Sequence, residues 1–281
     1  MTHVLGRSSG DGPTVDLGSF LARDGSVGAG VELDLDRPHA ALLTGKRGSG
    51  KSYTMGVIAE GLAGAAGVTG VVIDPMGAFS GLAAGADARV LDAPTVRADA
   101  LQPRAWCELL EVDPTGAPGA LLWRVAASAD TLDQMQTAVE HSNADRATRR
   151  AVLNHLSLAE GWDVFDQAGL DAADLTAEPI TVLDTSEFGP EAMAAITAAI
   201  ADQLYERATS GHLDRLPWLL VDEAHSVTDR VAWRPLRTIL TRGRHPGVSL
   251  LLATQRPSAL PPVAISQADL IVSHRLTATS D

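Results

Sequence analysis

Gly45-Lys46-Arg47-Gly48-Ser49-Gly50-Lys51-Ser52 has the spacing of a phosphate-binding loop, G-x-x-x-x-G-K-S. Glycines in such a loop let consecutive backbone N–H groups turn inward around phosphate oxygens, and the helix that follows points its positive dipole end at the same anion. Lys51 is placed to reach the outer phosphates and Ser52 to ligate Mg²⁺. The flanks fit: Ala40-Ala41-Leu42-Leu43-Thr44 reads as a buried strand entering the loop, and Tyr53 to Ala63 as a helix leaving it. The nucleotide-binding set is therefore Gly45, Lys46, Arg47, Gly48, Ser49, Gly50, Lys51, Ser52 and Tyr53. Both lysines of the chain fall inside this stretch. The alternative is a purely structural Gly-rich turn.

Toward the C-terminus, Pro217-Trp218-Leu219-Leu220-Val221-Asp222-Glu223 is an apolar run ending in two carboxylates, which suits a buried central strand. Asp222 is expected to hold Mg²⁺ through water beside Ser52, and Glu223 to accept the proton of the attacking water. His225 either senses these carboxylates or simply packs. Val248 to Ala253 forms another buried strand, followed at once by Thr254-Gln255-Arg256-Pro257. An uncharged amide at a strand tip can bond a terminal phosphate oxygen and the lytic water without repelling either, so Gln255 is the expected phosphate sensor. Arg242, Arg244, Arg256 and Arg275 are candidates to neutralise charge in a neighbouring subunit's site, because a guanidinium stays ionised and pairs with phosphate through a planar fork.

Further strands are expected at Val71-Val72-Ile73-Asp74, Ala88 to Leu91, Ile180 to Asp184 and Asp269 to Leu276. Asp74 either approaches the nucleotide or caps the next turn. Pro190 and Gly211 bracket a helix whose Met193, Ile196, Ile200 and Leu204 share one face. Strand signals lapse over 93–178, where helical spacing predicts an inserted subdomain. Trp106, Trp123 and Trp162 are assigned to its core, and Asn143 as the cap of a helix reaching Leu158. Arg146, Arg149 and Arg150 read as a solvated face. Residues 1–38 alternate at period two in places and suggest a short β lead, so that 39–92 and 179–281 make up the core.

With 45% apolar residues, the chain has ample material for a large α/β domain. No run is long enough to span a bilayer and no charged-then-apolar leader opens the sequence, so no membrane association and a cytoplasmic location are expected. A single cysteine, Cys107, excludes an internal disulfide and a cysteine-based zinc site. The formal net charge of −13 opposes DNA binding through the average surface, so any such contact must be local. Scarce lysine with abundant Asp also suits a protein kept soluble in very salty surroundings.

The loop Thr44 to Thr54, together with Asp74-Pro75-Met76-Gly77-Ala78-Phe79, Val221-Asp222-Glu223-Ala224-His225, and Arg242-Gly243-Arg244-His245-Pro246-Gly247-Val248 leading to Ala253-Thr254-Gln255-Arg256-Pro257-Ser258, resembles the HerA/FtsK-type ATPases, in particular HerA-like proteins. The resemblance implies an α/β, RecA-like P-loop NTPase core with a mainly parallel central sheet. It also implies Mg²⁺-dependent ATP hydrolysis, hexameric homo-oligomers, movement of double-stranded DNA and a nuclease partner in DNA end processing. The chain departs from the family's pattern at Ala78, where an acidic residue is common, and in its short lead, where a full β-barrel is common. A second reading is a regulatory or protein-remodelling ATPase with a protein partner, supported by the acidic surface and the lack of a helix-turn-helix or zinc-finger signature. A third is nucleotide binding without turnover. A guanine-reading Asn-Lys-x-Asp segment is absent, which disfavours a GTPase.

Overall fold

The computed structural model describes residues 2–7 and 11–276. Three strands lead the chain: β1 (Thr2–Leu5), β2 (Thr14–Leu21) and β3 (Val27–Asp34). They form a sheet in the order β1-β3-β2, with β1 parallel and β2 antiparallel to β3. Glycines in β2 and β3 leave this sheet half-exposed, and the β2–β3 register slips between Asp16 and Gly18 and between Ser19 and Leu21.

The main layer then begins with β4 (Ala40–Thr44), α1 (Lys51–Gly64), β5 (Val68–Asp74), α2 (Leu82–Gly85) and β6 (Ala88–Leu91). Five helices follow without a strand: α3 (Pro103–Leu109), α4 (Ala117–Ala126), α5 (Leu132–Glu140), α6 (Arg146–Glu160) and α7 (Ala172–Ala177). The chain returns to the sheet with β7 (Ile180–Asp184), α8 (Pro190–Thr209), β8 (Leu216–Val221), α9 (Trp233–Arg242), β9 (Ser249–Thr254), α10 (Pro262–Gln267) and β10 (Leu270–Ser273). The seven strands lie in the order β10-β4-β9-β8-β5-β7-β6, every pair parallel. β8, the strand carrying the acidic pair at its end, is central. The expected α/β, RecA-like architecture with a parallel sheet is the one observed.

A parallel sheet is covered on both faces, and the side-chain alternation shows how. Leu42, Val71, Ile73, Leu219, Val221, Leu250 and Leu252 point to the face that also carries Ile196 and Ile200 of α8 and Ile239 of α9. Leu43, Val72, Leu220 and Leu251 point to the other, against Met55, Ile58 and Leu62 of α1 and against Val15, Leu33 and Leu35 of the leading sheet. A Cβ at Gly61 of α1 would overlap Val15, so that glycine is what allows the leading sheet its close approach.

Between β6 and β7, Trp106, Leu122, Met135 and Leu156 join the same buried cluster as α8, making helices α3–α7 continuous with the core. Of the three tryptophans assigned to a core, Trp106 is fully buried and Trp162 partly so, whereas Trp123 is 41% exposed. Asp145, not Asn143, caps α6: its carboxylate accepts from Ala147 and Thr148 N–H at 2.9 and 3.0 Å. Asp145 immediately precedes the first helical residue, and its anionic side chain also suits the positive end of the helix.

Because all strands run the same way and pair in register, their carboxyl ends share one rim. Thr44 lies opposite Thr254, Ile73 opposite Val221, and Asp74 opposite Asp184.

Candidate active site

The phosphate loop leaves the tip of β4 at this rim. Gly48 (φ 73°) and Gly50 (φ 103°) take left-handed conformations that side chains with a Cβ resist. Gly45 is needed for a different reason, since a Cβ there would stand 2.5 Å from Ser49 Oγ and 2.6 Å from His274 Cβ. The loop is clamped from β9 and β10: Gly45 N–H donates to the Thr254 carbonyl (3.3 Å), Lys46 N–H to the Arg275 carbonyl (2.9 Å), and His274 Nε2 hydrogen-bonds Thr54 Oγ1 (3.0 Å).

Helix α1 is preceded by Gly50, which offers no side-chain cap, so the amides of Lys51, Ser52 and Tyr53 enter the first turn without intrahelical acceptors. Ser49 Oγ is buried with no hydrogen-bond partner. A helix end with uncapped donors and an unsatisfied hydroxyl fits an anion. Ser52 and Tyr53 are exposed, Tyr53 by 79%.

Lys51 is only 5% exposed, and its Nζ lies 4.0 Å from Glu223 Oε1 across the rim. Glu223 follows β8 in a left-handed conformation (φ 45°, ψ 43°) that costs a non-glycine residue roughly 1–3 kcal/mol. The strain turns the chain sharply and leaves the carboxylate facing the loop. Asp222, 3% exposed, accepts the Glu223 N–H at 2.9 Å. Burial pushes its carboxyl up to about 6, helped by the negative charges of Glu223 and Asp74 and opposed by that backbone hydrogen bond and by Lys51.

Gln255 follows β9 directly and lines a cleft of about 370 Å³ together with Arg47, Thr185, Glu223 and His225. The structure thus brings Lys51, Asp222, Glu223 and Gln255 to one rim from three neighbouring strands. Asp74 does not face the cleft: its carboxylate accepts the N–H groups of Met76, Ala78 and Phe79, and so holds the turn after β5.

Arg242 and Arg244 are not brought to the cleft of their own chain. Arg242 ends α9, ahead of the amino end of β9, and Arg244 Nη2 pairs with Asp269 at 2.8 Å. Asp269 Oδ1 in turn accepts the N–H of Ala40, the first residue of β4, at the opposite rim of the sheet. Arg256 is exposed beside the cleft, and Arg275 contributes its carbonyl to the loop clamp. Sequence patterns missed Thr185, whose buried Oγ1 lacks a hydrogen-bond partner, and the clamping role of His274. Neither has a local signal: His274 matters through Thr54, 220 positions away in the chain, and Thr185 through the cleft it lines with residues distant in sequence.

Among the described residues no cluster of three or more His, Cys, Asp or Glu side chains forms a metal site. The side chains that could hold a metal are a hydroxyl, Ser52, and one carboxylate, Asp222. That suits Mg²⁺, which keeps waters and takes remaining ligands from phosphates.

The family profile described as Helicase HerA, central domain, matches residues 15–204. It covers the phosphate loop and stops short of Asp222, Glu223 and Gln255. No curated protein matches the chain. Among solved structures, VirB4 of Thermoanaerobacter pseudethanolicus is similar at 16% identity and a TM-score of 0.67, over 98% of this chain and 87% of that one. The bacterial conjugative coupling protein TrwB is similar at 15% identity and a TM-score of 0.54, over 90% and 68%. TrwB in complex with ADP and Mg²⁺ gives 16% and 0.54, over 90% and 75%. With the profile spanning more than half of its length and the parallel fold shared with VirB4 and TrwB, the chain belongs to the Helicase HerA central-domain family of P-loop ATPases.

Proposed function

We propose that the protein hydrolyses Mg²⁺-bound ATP and couples the cycle to movement of double-stranded DNA. The observation that carries the first half is the convergence of Lys51, Asp222, Glu223 and Gln255 on one rim of the sheet. The ADP and Mg²⁺ complex of TrwB supports the same ligands here.

In this reading the loop amides and the Lys51 ammonium bind the triphosphate and neutralise its charge. Ser52, and Asp222 through water, would hold Mg²⁺, which would supply charge neutralisation at the phosphates. Gln255 orients the attacking water, and Glu223 takes its proton as the water oxygen bonds to the terminal phosphorus and the bridging P–O bond breaks. Leaving with ADP and inorganic phosphate, that proton frees Glu223 for the next turn.

Support for DNA comes from the helicase description of the family and from the similarity to TrwB, a conjugative coupling protein. By the resemblance to HerA-like proteins the chain works as a homo-oligomer, a hexamer, beside a nuclease. No helix among the described residues is long and apolar enough to cross a membrane. Arg242 and Arg244 then have a role in catalysis only if they enter a neighbour's cleft.

Glu223→Gln is expected to bind ATP and lose ~10²- to 10⁴-fold in kcat. Unchanged turnover would remove that role from Glu223. Duplex DNA should raise the wild-type ATPase rate, and light scattering with Mg-ATP and DNA should show the ring. The net charge of −13 favours a protein partner as the second reading, and a rate indifferent to duplex DNA would select it.

A further inference from the structure

We infer that His225 is a positioning residue: its Nδ1–H orients the Glu223 carboxylate for hydrolysis and links it to the tip of β9 at Thr254. This rests on Glu223 being the general base. Glu223 and His225 sit on one tight 3-10 turn at Ala224–Ser226, fixed by two hydrogen bonds to the Glu223 carbonyl, from Ser226 N–H and from Ser226 Oγ, each 2.8 Å. His225 Nδ1 is 3.2 Å from Thr254 Oγ1 and 3.3 Å from Glu223 Oε2.

A ring nitrogen this near a carboxylate carries its hydrogen, because two lone pairs would repel. One N–H therefore faces two acceptors on neighbouring strands. In the structure it bonds Thr254, while Glu223 Oε2 is buried with no hydrogen bond of its own. A small rotation of the ring moves the bond from one to the other.

Two further contacts give that choice a consequence. The cation nearest Glu223 is Lys51, 4.0 Å away, and Lys51 is the residue the triphosphate recruits. Once it turns to the phosphates, the His225 N–H is the donor left beside Glu223. Thr254, meanwhile, is where the clamp on the phosphate loop attaches: its carbonyl accepts Gly45 N–H at 3.3 Å and its Oγ1 accepts Arg256 N–H at 3.0 Å. A neutral ring suits this role. Burial holds the His225 pKa below its usual value; Arg256 and Lys51 lower it further, and Glu223 and Asp229 oppose them.

Substitutions that copy one ring nitrogen or the other test the inference. His225→Asn places an amide N–H where Nδ1 lies, whereas His225→Gln reaches the position of Nε2. His225→Ala is expected to lower kcat ~10- to 100-fold, as for other residues that orient a reacting group through a hydrogen bond, with the Kd for a non-hydrolysable ATP analogue unchanged. His225→Asn should restore most of the rate and His225→Gln should not. A kcat for His225→Ala within twofold of wild type overturns the inference, as does equal rescue by Gln, or a fall in kcat matched by equal losses in binding and thermal midpoint. Nitrogen-15 spectra of labelled histidine test it without turnover, since a ring protonated at Nε2 alone contradicts it. Glu223→Gln separates the two failures: if that variant turns over normally the base assignment falls, and if it is dead while His225→Ala is unaffected, only the role of His225 falls.

Discussion

The two rims of the central sheet treat charge in opposite ways. At the carboxyl-end rim, Ser49 Oγ and Glu223 Oε2 are buried without hydrogen bonds, and Lys51 stands 4.0 Å from the nearest carboxylate. At the amino-end rim, charges close on one another. Arg7 meets Asp34 at 3.2 Å, His39 Nδ1 meets Asp269 at 3.0 Å, and Asp269 also takes Arg244 at 2.8 Å and the Ala40 N–H at 2.8 Å. His39 Nε2 and Asp34 Oδ2 are also buried without hydrogen bonds, but they face each other at 3.7 Å. Apart from those two atoms, the amino-end groups are paired by the fold itself, tying β3, β4, β10 and the turn after α9 together. Groups at the carboxyl-end rim are held short of their best partners, which is the condition for a ligand to complete them. Loss of a residue should therefore harm chemistry at one rim and stability at the other.

Lys51→Ala gives the largest effect expected. It removes the buried cation facing the loop, so ATPase activity should fall by ~10²-fold or more, with weakened nucleotide binding in equilibrium titrations. Activity near wild type would mean that the loop amides alone hold the phosphates, and the contrast between the rims would lose its chemical side.

The rim that carries this prediction is the one the sequence makes legible. Gly45 to Ser52, Val221-Asp222-Glu223 and Thr254-Gln255 are each contiguous, and strand-loop periodicity places each at a strand end. In a parallel sheet, strand ends meet. The amino-end network has no such signature, since Asp34 and His39 meet Asp269 only across the fold, His39 and Asp269 being 230 positions apart. Its members read as ordinary surface charges until tertiary structure buries them. Local chemistry also leaves near-equivalent choices open. Asn143 and Asp145 are both good caps, and only the true start of α6 at Arg146 decides between them. Asp74 had two readings of this kind, and its three backbone hydrogen bonds select the turn.

Asp34→Ala probes the other rim. Asp34 is fully buried beside Arg7, Arg37 and His39, and its loss leaves a buried cation without its carboxylate. A destabilisation of about 3–5 kcal/mol is expected in denaturant unfolding, with kcat per folded molecule unchanged. Arg244→Ala should cost less than about 1 kcal/mol, since that side chain is 65% exposed. An activity loss from Arg244→Ala without a matching stability loss would instead put Arg244 in a neighbour's cleft.

Asp222→Asn joins the two behaviours in one residue. The folded carboxyl titrates near 6 against 3.8 unfolded, so between these values the folded state binds the proton more tightly. This group's contribution to ligand-free stability is therefore most favourable below pH 3.8 and is lost as pH rises through 6. The penalty above that is on the order of 3 kcal/mol. Asparagine keeps the Oδ1 acceptor for Glu223 N–H and does not titrate. The variant should be the more stable at pH 8 without Mg²⁺, by an amount that fades toward pH 4, while losing the added stability that Mg²⁺ and nucleotide give the wild type. Paired unfolding curves at pH 8 and pH 4.5 check both parts, and a variant less stable at pH 8 would contradict the burial argument.

Salt should separate the rims more gently. A net charge of −13 spreads repulsion over the surface, and the screening length shrinks from about 10 Å at 0.1 M to about 3 Å at 1 M. The thermal midpoint of the ligand-free protein should then rise in molar KCl, by roughly 1 kcal/mol or about 2–4 °C. Buried pairs are screened far less than exposed ones, so the deficit of Asp34→Ala should persist at every salt concentration, whereas any contribution of Arg244 should vanish. Calorimetry of the three proteins across a salt series reads this directly. If molar salt erased the Asp34→Ala deficit, water would have to reach the amino-end network freely, and the division between a closed rim and an open one would fail at the place where it rests on burial.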